Sequence, residues 1–301
     1  MGTAIKIIRE DKEFCNLYIS KITKNDCQTF FRKVYERKKL KENSLIKVKQ
    51  ALSSVFVSRE EEINPTLGIG FKDYYKHEVD KQVKKDMILR DDQLKIVLNR
   101  AKKKTKDKRF ITVVYLTLFL CLRRGEVHGL KVSDIKWDEN KINIDRTVVQ
   151  LKEGQIIQNW TKNGETRVVP LFNEIKGILK EYMQYREEKG YVKEYDEKGV
   201  ETSFLFANRT GKLPHLETFS KRFKGIIDEL NNEGLLDIQP TFHSLRGSGI
   251  SYYVMNQHVS LPIVQKFAGH SDIKTTMKYY VKMEDKDVIE LSKREIDRDF
   301  L

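Results

Sequence analysis

The chain has 301 residues, long enough for two domains that each bury a core, and sets 57 Lys and Arg against 44 Asp and Glu for a formal net charge of +13. Residues 1–85 hold 19 Lys and Arg against 12 Asp and Glu, a net +7, which leaves +6 for the remainder; such a balance suits two lobes pressed on a polyanion and equally a lysine-rich solvated surface. Cys15, Cys27 and Cys121 give no basis for a disulfide framework or a cysteine zinc site, residues 111–122 are too short an apolar stretch for a bilayer, and no signal peptide opens the chain, so a cytosolic protein is expected.

The first part reads as helical. Asn25-Asp26 is placed to cap a helix with Phe30, Phe31, Val34 and Tyr35 on one side, and Asn43-Ser44 to cap a second with Leu45, Val48, Leu52, Val55 and Phe56 at three-to-four spacing. Asn64-Pro65 ends that run. Residues 71–87, dense in Lys, Asp and Tyr, read either as a linker or as a solvated helix extension. Arg90-Asp91-Asp92-Gln93-Leu94 opens a second domain. Beyond the basic run 102–109, read as a solvated loop, residues 111–122 predict a buried helix that delivers Arg123 at or near its end. Over residues 137–171 the β-branched Ile142, Ile144, Val148, Val149, Ile156, Ile157, Val168 and Val169, broken at Glu153-Gly154 and Asn163-Gly164, predict one small antiparallel sheet. Helices are expected again over 173–189 and 217–230, then in a cluster over 244–281.

The chemistry sits at five places. Arg123 and Glu126 stand three apart, so the carboxylate can brace the guanidinium while other N–H donors stay free; a plain surface ion pair is the alternative. Lys162, before the Asn163-Gly164 turn, belongs near a hairpin tip, which suits a general acid and equally a solvated loop. His243 and Arg246 share one face near the positive end of a helix, where an imidazole and a guanidinium can hold an anion. His270 follows Gly269, and Ser271-Asp272 can cap a helix carrying Tyr279 and Tyr280; neighbours on a helix point about 100° apart, so only one phenol faces a given phosphate. Two forked guanidiniums, a lysine, two imidazoles and a phenol suffice to cut a phosphodiester without metal, the phenol attacking phosphorus and holding the strand as a covalent ester. Competing sites are weak: Gly68-Ile69-Gly70 lacks the third glycine of a dinucleotide loop, and the six histidines form no short-range metal-ligand pair.

At these residues the chain resembles the tyrosine recombinase (phage integrase) family. Leu122-Arg123-Arg124-Gly125-Glu126-Val127-His128-Gly129-Leu130 is similar to the family's first-arginine motif and residues 162–170 to its lysine hairpin. His243-Ser244-Leu245-Arg246 resembles its His-x-x-Arg box. Gly269-His270-Ser271-Asp272-Ile273-Lys274-Thr275-Thr276 followed by Tyr279 resembles its terminal box, and the nine-residue step from His270 selects Tyr279 over Tyr280. The resemblance spans about residues 14–290.

It implies a mixed, mainly α fold: a helical N-terminal core-binding domain (1–75), a linker (76–88), an α+β catalytic domain with a small antiparallel sheet (89–285), and a tail (286–301), closing as a C-shaped clamp on duplex DNA. It implies that Tyr279 attacks the scissile phosphate, Arg123 and Arg246 neutralise the transition state, Lys162 protonates the leaving 5′-oxygen, and His243 and His270 position or exchange protons. No cofactor, ATP or metal is implied. The implied partners are double-stranded DNA at core attachment sites, further copies forming a tetramer on paired sites, and accessory DNA-bending or excision factors. Ile289, Ile296 and Phe300 share one side of the tail; they either fold back on their own domain or, as the resemblance favours, dock on a neighbouring protomer. Two departures stand out: Gly247-Ser248 replace the His-Thr that often follows the box, and the chain begins too late for an arm-binding domain, giving the expectation of a shortened form of a mobile element's integrase. A type IB topoisomerase-like enzyme and a non-catalytic DNA-binding regulator are the rival readings.

Overall fold

The computed structural model describes residues 2–59, 63–75, 87–104, 107–159, 166–257 and 259–280. The chain divides into two compact units, Met1–Val83 and Lys84–Leu301.

The first unit is helical: α1 (Gly2–Arg9), α2 (Lys12–Cys15), α3 (Lys24–Lys38) and α4 (Glu42–Ser58). Thr23, not Asn25-Asp26, caps α3. Its hydroxyl accepts the Asp26 N–H at 3.2 Å while the Asp26 carboxylate accepts the Thr23 N–H at 2.9 Å, a reciprocal box that satisfies two otherwise orphaned donors. The expected Asn43-Ser44 cap is likewise displaced: the Ser44 N–H already bonds the Lys41 carbonyl at 2.7 Å, so both residues lie inside the first turn of α4. Phe30, Phe31, Leu45, Val48, Leu52 and Phe56 meet Phe14 and Phe71 in one core, with Phe14 stacked on Phe30 at 4.5 Å. Val55, expected on the apolar side, is 42% exposed. Of the expected linker, residues 76–86 lie outside the described residues.

The second unit opens with α5 (Asp91–Lys104) and α6 (Lys108–Phe119). The basic run is therefore a loop only in part, because α5 extends to Lys104 and Asp107 starts α6 by accepting the Arg109 N–H at 3.0 Å. The chain then turns through Leu120, Cys121 and Leu122, all fully buried, with Cys121 left-handed at φ 49°. Arg123 is thus not the end of the apolar helix but the residue capping the next, α7 (Arg124–Gly129).

The β-branched region forms two sheets, not one. Strands β1 (Ile135–Lys136), β2 (Lys141–Ile144) and β5 (Arg167–Pro170) pair antiparallel in the order β1-β2-β5, with Ile142 opposite Val169; β3 (Thr147–Leu151) and β4 (Gly154–Gln158) form a separate hairpin. Arg146 accounts for the break: between β2 and β3 its guanidinium is held by Asp134 at 2.5 Å and the Gly129 carbonyl at 3.3 Å. The strand that follows lies against α7, where a Cβ on Gly125 would fall 2.3 Å from the Thr147 hydroxyl and 2.6 Å from the Val148 carbonyl. Among the described residues five helices follow, α8 (Asn173–Glu188), α9 (Glu217–Asn232), α10 (Phe242–Met255), α11 (Leu261–Ala268) and α12 (Ile273–Tyr280), with turns and isolated β-bridges between α8 and α9. The whole is mainly α with small antiparallel sheets. No helix among the described residues is long and apolar enough to cross a membrane.

α10 crosses α6 at backbone contact, because a Cβ on Gly249 would lie 1.9 Å from the Leu118 carbonyl oxygen. Only glycine fits. Gly249→Ala is expected to force the helices apart and cost about 3 kcal/mol, as overpacking of a core does, read as a lower urea midpoint of the unit beginning at Lys84. An unshifted midpoint would refute the contact.

Candidate active site

Two turns and one helix start build the site. Arg123 holds the capping position of α7, His243 and Arg246 lie in the first turns of α10, and His270 follows Gly269, which closes α11. Beneath them Cys121, Ile250, Val254, Val264 and Ala268 form a small apolar cluster that supports α10 and α11.

Glu126 anchors Arg123 twice. Its carboxylate accepts the Arg123 backbone N–H at 2.7 Å and a guanidinium N–H at 2.8 Å. Burial alone would raise this carboxyl, but hydrogen bonds and charge from Arg167, then from Arg123, outweigh it and hold it at about 2. The other Arg123 nitrogen donates to the Gly269 carbonyl at 2.5 Å. Arg246 is only 2% exposed and donates to the Cys121 carbonyl and, at 2.7 Å, to Ala268. The left-handed turn at Cys121 therefore ends in the carbonyl that orients Arg246. Burial and the neighbouring Arg123 bring this guanidinium down to about 10, still charged at neutral pH. Among the described residues each guanidinium donates two of its five N–H groups to the protein, and the others suit an anion.

His270 is tied to α12 through its Nδ1, 2.9 Å from the Thr276 hydroxyl. Burial, then Arg246, Arg123, Arg167 and His243, depress its ring to about 4, so it is neutral at pH 7.

Arg123, His243, Arg246 and His270 all line one cleft of about 1520 Å³, together with Arg124, Lys221 and Lys224. Among the described residues five cations and two imidazoles face a single lining carboxylate, Glu217, which is already held by Arg124 at 2.5 Å. Such a cleft favours a polyanion.

Residues 87–286, two thirds of the chain, match the Phage integrase family. The chain belongs to that family. It is 27% identical over 168 residues to the integrase of Staphylococcus phage L54a, covering 55% of this chain and 45% of that protein. It is 28% identical over 210 residues to the transposase from transposon Tn916 of Enterococcus faecalis, covering 67% and 49%. The chain spans about half the length of the curated relatives it matches. A structure of the Tn1549 transposon integrase in complex with transposon right end DNA is similar over 97% of this chain and 91% of that one, with a TM-score of 0.78 at 17% identity, which shows a shared fold.

Of the six residues that the integrase motifs single out, four thus meet in the cleft. Lys162 lies outside the described residues, as do the Asn163-Gly164 turn and Ile289, Ile296 and Phe300 of the tail. Tyr279 lies on α12, three residues beyond Thr276; only its backbone is described. Arg167 escaped the motif reading. Its signal was present, however: on β5 it shares the inward face with buried Val169, two residues on, where an arginine needs a partner.

His128, within the first-arginine motif, is a core residue. It is fully buried, its ring 5.0 Å from that of Phe219 and its Nδ1 2.9 Å from the Arg124 carbonyl. Burial depresses it from 6.5 to about 4. Between those values the unfolded chain binds more protons than the folded one, so stability is complete above pH 6.5 and falls as the pH drops toward 4. The loss is roughly 3 kcal/mol over that window, with a smaller contribution of the same sign from half-buried His270. His128→Phe is expected to remove most of that slope in urea midpoints compared at pH 7 and pH 4.5; an unchanged slope would place the acid sensitivity elsewhere.

Proposed function

We propose that this chain is a site-specific recombinase of a mobile element, cutting and rejoining double-stranded DNA through a 3′-phosphotyrosine at Tyr279. The observation that carries the reading is the convergence of Arg123, His243, Arg246 and His270 on one cationic cleft, with His270 bonded to the helix on which Tyr279 lies. The Tn1549 integrase, bound to transposon end DNA in its own structure, supports the substrate class.

In this mechanism the Tyr279 oxygen attacks phosphorus as its proton passes to a neutral imidazole, and His270, uncharged at pH 7, is suited to accept it. The bond from phosphorus to the 5′-oxygen breaks, and the Lys162 ammonium protonates that oxygen. Arg123 and Arg246 stabilise charge on the non-bridging oxygens of the pentacoordinate transition state. Reversal with the 5′-hydroxyl of a second strand rejoins the backbone. The ester conserves the bond energy, so the cycle balances without ATP.

Residues 1–75 then act as the core-DNA-binding domain, 76–88 as linker and 89–285 as catalytic domain, with the 286–301 tail docking on a neighbour in a tetramer assembled on paired sites in the cytoplasm. Incubating the protein with nicked suicide duplexes drawn from DNA flanking its own coding sequence tests the reading. A protein–DNA adduct, and recombinant joints when two labelled sites are mixed, are expected. Relaxation of supercoils without joints would point to a topoisomerase, and absence of any adduct to a DNA-binding regulator.

A further inference from the structure

We propose that Arg167 is a positioning residue that locks Arg123, Glu126 and the turn before His270 into one rigid unit. The inference rests on the recombinase reading above. Arg167 is the first residue of β5, and its side chain is 9% exposed. It uses all three directions of its guanidinium: the two terminal nitrogens donate to the Glu126 carboxylate at 2.9 and 2.8 Å, and Nε donates to the Phe267 carbonyl at 3.0 Å. Glu126 passes the constraint to Arg123, whose other nitrogen returns it to the Gly269 carbonyl, two residues beyond Phe267. The bonds close a ring through three chain segments: β5, the start of α7, and the end of α11 with the glycine that closes it.

Arg167 itself is not among the residues lining the cleft, so it acts through those that are. Stability alone does not account for it, since a buried ion pair is often matched or bettered by apolar residues of the same volume. What an apolar residue or a lysine cannot supply is three fixed donor directions at once. The Arg167 charge also helps to keep the His270 ring neutral.

The test uses Arg167→Lys and Arg167→Met, both retaining the stem volume. Each is expected to fold, to bind a half-site within about threefold of the parent and to lose about 10²-fold in single-turnover cleavage of a suicide duplex, the scale of a small misplacement of reacting groups. In histidine-labelled protein the His270 ring is expected to titrate at higher pH in Arg167→Met than in the parent, and less so in Arg167→Lys. A purely structural residue would instead lower binding as far as cleavage; melting falls in either case, because Arg167→Met takes a partner from the buried Glu126 carboxylate. The proposal is overturned if both variants cleave within threefold of the parent, if binding falls as much as cleavage, or if Arg167→Lys fails to fold. Should the parent form no adduct, the recombinase reading fails, and the His270 titration still decides the positioning: an unmoved ring in Arg167→Met overturns it.

Discussion

Tyr279→Phe is expected to bind duplex as the parent does and to form no covalent adduct. The change deletes one oxygen, the atom that would bond to phosphorus, and loss of a covalent nucleophile typically costs on the order of 10⁶ in rate. Tyr279 and Thr276 stand one helical turn apart on α12, and Thr276 holds His270, so the helix is fixed to the cleft without the phenol. Melting temperature should accordingly stay put. Tyr280→Phe, made in parallel, should still be captured by an end-labelled suicide duplex. Capture of the Tyr279 variant, or loss of capture by the Tyr280 variant alone, would move the nucleophile.

Arg123→Lys should reduce single-turnover cleavage by about 10²–10³, the scale seen when one donor to a developing oxyanion is removed, while duplex affinity changes far less. An ammonium keeps the charge but not the fork. Arg123 already gives one N–H to Glu126 and one to the Gly269 carbonyl, and a lysine at this position cannot meet both and still reach an anion. A cleavage rate within threefold of the parent, measured at saturating protein, would remove Arg123 from the chemistry.

The helices and the local settings of the site were legible in the sequence because both are short-range. Three-residue spacing puts His243 and Arg246 together at the start of α10, and α8 (Asn173–Glu188) starts at the expected residue. What the sequence did not reveal is tertiary. Nothing local says that Arg167 meets a carbonyl a hundred residues further on, or that Gly249 lies against Leu118. The left-handed turn at Cys121 was missed because an apolar run reads as continuous helix until its carbonyls find partners elsewhere, here Arg246. The single expected sheet became two because Arg146 is held by Asp134 and Gly129, which no alternation pattern encodes. At α3, Thr23 prevailed over the polar pair behind it because Asp26 completes its box.

The seat of the β3–β4 hairpin on α7 divides what this chain can change from what it cannot. With no room for a side chain at Gly125, the hairpin root and the Arg123 cap share one frame. Gln150 and Gln158, by contrast, face the same cleft from the strands themselves. Exchanging those two would alter what the cleft touches while leaving the guanidinium where it is. The architecture thus separates two parts of the cleft wall: the strands of the hairpin can take other side chains, while its root, packed on Gly125, has no such freedom.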